Sequence, residues 1–96
     1  MSISPKTRAA QRCFAIHEIL LRDWDPIGVR EIPEAQDEYD GYIAGVYRLV
    51  VGSASKANIV DHLRHTEKVN MGLPATDNTR LATVAEKLLK LRDMWA

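Results

Sequence analysis

Leu81-Ala82-Thr83-Val84-Ala85-Glu86-Lys87-Leu88-Leu89-Lys90-Leu91-Arg92-Asp93-Met94-Trp95 is the stretch that decides the fold class of this chain. Leu81, Val84, Ala85, Leu88, Leu91 and Trp95 recur at three- and four-residue spacing, and Leu89 widens the stripe. That period gathers them on one face of an α-helix, with the charged residues opposite. Thr76 or Asp77 is the expected cap, and the helix is expected to run to about Met94.

Three further helices precede it. Roughly 56–70 carries Ile59, Val60, Leu63 and Val69, with Ser53 or Ser55 as cap and Met71-Gly72-Leu73-Pro74 as breaker. Tyr39 to Val51 carries Tyr39, Tyr42, Ile43, Val46, Leu49 and Val50; Glu38 and Asp40 suit its positive end, and Gly52 stops it. Gly45 inside it weakens a helix, so it marks a close helix–helix approach. The first helix starts at Ser4-Pro5 and ends near Asp23, because Asp25 precedes a proline. Its apolar face is Ala10, Cys13, Phe14, Ile16, His17, Leu20 and Leu21. Nothing reads as a strand. The expected fold is all-α: a four-helix antiparallel bundle, one domain over residues 1–96, with a long ordered loop between the first two helices.

That loop, 24–38, is long for a helix connection. Pro26, Gly28 and Pro33 punctuate it, yet it holds Trp24, Ile27, Val29 and Ile32. At least Trp24 and Ile27 are expected to pack down and pin it. The loop is also where charge collects. The chain is neutral, but residues 23–40 carry seven acids against Arg30, while the flanking segments are each basic. Such a segment argues against contact with a phosphate backbone and suits a basic partner. The 46% hydrophobic composition is that of a globular domain. With no basic or apolar leader and a single cysteine, Cys13, the expected compartment is the cytoplasm, without a membrane span.

Candidate chemistry is sparse. Asp23, Asp25, Gly28, Glu31 and Glu34 fall at positions 1, 3, 6, 9 and 12 of a calcium-loop frame, but Ile27 and Arg30 stand where a ligand and an apolar residue belong. No metal and no cofactor is expected. Cys13 and His17 sit one turn apart, the spacing of a metal pair or a thiolate–imidazole pair; a small thiol beside a half-buried, hydrogen-bonded imidazole is the simpler reading. His62 and His65 lie three apart on a polar helix. A helix-turn-helix centred on Gly52 fails at Arg48, Asn58 and Asp61, so nucleic acid is not expected as a partner. No phosphate-binding or catalytic signature is present.

Tyr39, Tyr42 and Tyr47 lie on more than one side of the second helix. With Trp24 and the acids Asp25, Asp37, Glu38 and Asp40, Tyr39 and Tyr42 make an aromatic, acidic patch of the kind found at protein interfaces. A purely structural role for these tyrosines, holding the loop down, is equally open.

The run Trp24-Asp25-Pro26-Ile27-Gly28-Val29, with Asp37-Glu38-Tyr39-Asp40 and Met71-Gly72-Leu73, resembles small bacterial proteins of unknown function, including the YugE-like group. The likeness covers about residues 20–73. It implies a small helical bundle and a bacterial origin, and it carries no activity or site residue.

The expected function is a non-enzymatic protein-binding module that engages a basic protein through Trp24, Asp25, Asp37, Glu38, Tyr39, Asp40 and Tyr42. The alternatives are a small-molecule or metal-binding domain centred on His17 or the loop carboxylates, and a structural homodimer subunit.

Overall fold

The computed structural model describes residues 7–74 and 77–95. Four α-helices pack around one core: α1 (Arg8–Ile19), α2 (Ile43–Val51), α3 (Lys56–His65) and α4 (Asn78–Trp95), with no strand among the described residues. Long-range contacts set their directions. Lys87 Nζ near the middle of α4 meets Asp23 beyond the end of α1 at 2.6 Å, while Arg12 near the start of α1 donates to the Trp95 carbonyl at 3.1 Å. Lys56 at the start of α3 meets Glu86, and Arg92 reaches Ala54 just before α3. Both α1 and α3 therefore run antiparallel to α4.

The core follows the expected stripes. Leu81, Val84, Ala85 and Leu88 of α4 meet Ile16 from α1 and Leu20 just beyond its end, Val46 and Val50 from α2, and Ile59 and Leu63 from α3. Burying each such aliphatic side chain contributes about 1.5–3 kcal/mol before the entropy of ordering it.

Two features depart from the regular helices expected. α1 and α3 each widen at the end into a five-residue π turn, Leu20–Trp24 and Thr66–Asn70. Each is closed by a bond five residues back, Asp25 N–H to the Leu20 carbonyl and Met71 N–H to the Thr66 carbonyl. A π turn advances each residue less around the axis than an α turn. The first thereby brings Leu21 and Trp24 into the core beside Leu20, and the second turns Glu67 inward and leaves Val69 exposed. Val69 thus leaves the apolar face on which its spacing placed it.

Thr7 caps α1, its hydroxyl accepting the Ala10 N–H at 3.0 Å; the Ser4-Pro5 start lies outside the described residues. Ser55 caps α3 through the Asn58 N–H at 3.1 Å. Thr76, one of two expected caps for α4, also lies outside the described residues, and Asp77 accepts the Leu81 N–H through its carbonyl. The stop after α2 differs from the expected glycine. Gly52 has an ordinary φ of −85°, and Ser53 takes the left-handed turn at φ 64°, while Ala54 N–H bonds the Leu49 carbonyl. This is a Schellman ending with a serine where glycine is favoured. A side chain in that conformation is strained, so Ser53→Gly is expected to stabilise the fold by about 0.5–1 kcal/mol, read as a rise in the urea midpoint. An unchanged or lower midpoint counts against this account.

Gly45 does mark a close approach. A Cβ there would stand 3.3 Å from His62 Nε2, so the imidazole of α3 packs against the α2 backbone. Burial, then the neighbouring His65, lowers the His62 pKa from its ordinary value of 6.5. The folded state holds this ring neutral, and the unfolded chain takes up the proton first. Its stabilising contribution is therefore full above about pH 6.5 and is lost as pH falls through the lower folded value. Urea midpoints are expected to begin dropping as pH falls below about 6.5, before the carboxylates titrate. His62→Gln flattens that part of the profile; an unchanged slope argues against the assignment.

Candidate functional site

The loop is ordered around Asp25. This residue follows the first π turn in a left-handed conformation, φ 35° and ψ 59°, which reverses the chain. Its buried carboxylate accepts the Val29 N–H at 2.7 Å, the Arg30 N–H at 3.3 Å and the Tyr39 hydroxyl at 2.7 Å. The Arg30 guanidinium lies 3.6 Å away. Tyr39 in turn accepts the Ile27 N–H at 3.1 Å, so one carboxylate and one phenol satisfy three backbone donors. Burial raises the Tyr39 pKa far above its usual value, which keeps the phenol a donor to Asp25.

Trp24 packs against Tyr39 at 5.4 Å between ring centroids and edge-on to Tyr42 at 6.2 Å. Its indole N–H donates to Glu67 Oε2 at 2.8 Å, joining the two π turns. Trp24, Tyr39 and Asp25 are 0%, 2% and 4% exposed. They cannot serve as the contact surface expected of them, because the loop's own backbone and core consume them. Ile27 is a second correction. It is 41% exposed, since it occupies the third place of a tight turn closed by Gly28 N–H to the Asp25 carbonyl. Val29 packs against the core in its stead.

From Val29 to Tyr42 the chain descends through successive tight turns. Ile32, Ala35, Glu38, Asp40 and Tyr42 each donate an N–H to the carbonyl three residues back. Gln36 staples two of these turns by donating to the Arg30 and Ile32 carbonyls. The seven acids of this region now divide by role. Asp23 meets Lys87, Asp25 is the buried centre, and Asp40 meets His17. Glu31, Glu34, Asp37 and Glu38 stand exposed, and none of the four has an ion-pair partner among the described residues.

Of the expected contact residues, Asp37, Glu38 and Asp40 are on the surface and Tyr42 is partly buried. Asp40 connects the ridge to α1. His17 Nδ1 and Asp40 Oδ1 are 2.9 Å apart, tying α1 to the turn that starts α2. Beside this pair lies an open, mainly apolar groove of about 420 Å³, lined by Ala10, Cys13, Phe14, His17, Asp40 and Ile43. Ala10, Cys13, Phe14 and His17 share the expected apolar face of α1 with Ile16 and Leu20, but that apolar arc is wider than the core. Ile16 and Leu20 point inward, while Phe14 stays 54% exposed. The width of the arc was the available signal.

The thiol of Cys13 shares the groove with His17, and no hydrogen bond joins the two among the described residues. Among those residues no three His, Cys, Asp or Glu side chains converge as metal ligands. No described helix is long and apolar enough to cross a membrane. Comparison with protein-family models, with curated proteins and with solved structures gives no match.

Proposed function

We propose that this chain is a non-enzymatic protein-binding module whose partner is basic. The observation that carries the reading is the sorting of the loop acids. Three serve the fold, and four, Glu31, Glu34, Asp37 and Glu38, project from a hydrogen-bonded ridge without a countercharge. A run of like charges is unfavourable by itself and is relieved by a complementary surface. Because turns and the Gln36 staple already fix the ridge, little ordering entropy opposes binding. The contact residues are Asp37 and Glu38 with Glu31 and Glu34, and Asp40, already paired with His17, stands with Tyr42 at the margin.

A ligand role for the loop carboxylates has less support, since Asp23 and Asp25 are engaged by Lys87, Arg30 and the loop backbone. The test uses a fluorescent decalysine peptide as a minimal basic partner, read by anisotropy at low salt. Glu34→Lys with Asp37→Lys is expected to weaken binding by about tenfold or more, and added salt to weaken the wild type likewise. Both side chains are exposed, so the fold survives the change. Equal affinity in both proteins removes the ridge as the contact surface.

A further inference from the structure

We infer that the groove between α1 and the start of α2 receives an amphipathic helix of the basic partner. The inference rests on the reading above and assigns the form of the ligand. Ala10, Cys13, Phe14 and His17 follow one another at spacings of three, one and three, which is a single helical seam two turns long. Within a bundle such a seam is covered by another helix; among the described residues the space is an open groove, with Ile43 as its second wall. Phe14, one of the lining residues, presents a large exposed aromatic surface and lies 5.9 Å from the His17 ring. An exposed aromatic beside aliphatic and sulfur groups is the composition of a helix-binding groove.

Charge selects the occupant. The lining is mainly apolar and includes Asp40, which one tight turn joins to Asp37 of the acidic ridge. A helix with apolar residues at i, i+3, i+4 and i+7 fills the seam, and lysines or arginines flanking them reach the ridge. His17 is positioned for this by Asp40, which holds its Nδ1 and so fixes the ring as part of the wall. Each half of the surface has its own role: the ridge attracts, and the seam reads helical periodicity.

Cys13, the only cysteine of the chain, is a built-in reporter because it lines the groove and is partly exposed. The experiment uses a labelled leucine–lysine peptide of about 14 residues, long enough for the two-turn seam with a turn at each end. Leucines occupy the helical period in one version and are scrambled out of it in a second of the same composition. Binding is read by anisotropy, and access to the groove by the rate at which iodoacetamide alkylates Cys13. The periodic peptide is expected to bind about tenfold tighter than the scrambled one and to slow alkylation by a similar factor. Phe14→Ser, at an exposed position, is expected to abolish that difference while leaving the far-UV circular dichroism unchanged.

Equal binding of the two peptides with unprotected Cys13 overturns the groove inference and leaves the basic-partner reading standing. Binding unaffected by Glu34→Lys with Asp37→Lys, but still periodic and protective, keeps the groove and removes the charge ridge. Protection of Cys13 that rises with protein concentration alone, with a doubled mass in sedimentation, makes a second copy the occupant and overturns the proposal.

Discussion

Asp25→Ala is expected to lower the unfolding free energy by about 3–5 kcal/mol, which is most of the stability of a small domain. The substitution strands three donors at once: the Val29 and Arg30 N–H groups and the Tyr39 hydroxyl. Buried donors without acceptors cost about 1–3 kcal/mol each, and relaxation recovers part of that. The half-exposed Arg30 side chain adds little, since water screens it. Alanine also tolerates the left-handed backbone at φ 35° poorly. Asp25→Asn separates the causes. Asparagine accepts that backbone and retains one acceptor oxygen, so about half the loss is expected. Urea denaturation followed by tryptophan fluorescence reads both. A loss below about 1 kcal/mol for alanine shows that the loop does not depend on this carboxylate.

Trp24→Ala is the second large effect, at about 3–5 kcal/mol, from a cavity in a fully buried site. Trp24→Phe refines the argument. Phenylalanine keeps most of the contact with Tyr39 and Tyr42 but removes the N–H that Glu67 accepts at 2.8 Å. Hydrogen bonds to a charged group contribute about 1.5–3 kcal/mol, so that much is expected for phenylalanine alone. With Glu67→Met already in place the same change is expected to cost less, because the acceptor is gone. Additive losses in that cycle mean that the indole–carboxylate bond carries no stability of its own. Loss of the near-ultraviolet dichroism before the far-ultraviolet signal in Trp24→Ala locates the damage in loop packing.

Much of the helical framework is legible in the chain because periodicity reports burial directly. Leu81, Val84, Ala85 and Leu88 are core residues as their spacing implies. The loop was legible only as an anomaly. Its acids were counted as charge, and nothing in a local window separates Asp25, which bonds Tyr39 fourteen residues later, from Asp37, which faces solvent. That distinction requires the left-handed turn at Asp25, an uncommon conformation for a residue other than glycine. Trp24 packs down as its size implies, but its acceptor Glu67 lies on a distant helix that reads as polar, and Tyr39, whose hydroxyl bonds Asp25, reads as part of an exposed patch. Conversely Phe14 was assigned to the core, since periodicity gives the side of a helix that is apolar but not how much of that side its neighbours cover. The π turns left no local signature at all, because a widened turn is imposed by what packs around it.

Those two turns make helix length a determinant of where the acidic segment begins. A π turn houses a surplus residue within a helix. Removing one residue before Leu20 while the π turn is kept would carry every later side chain about 100° around the axis. The indole would then leave Glu67, and Asp25 would no longer sit at the reversal. Relatives of this chain that differ by a single insertion or deletion in the region before 24 must therefore compensate elsewhere or abandon the loop, whereas insertions among the exposed acids of 31–38 disturb only the ridge.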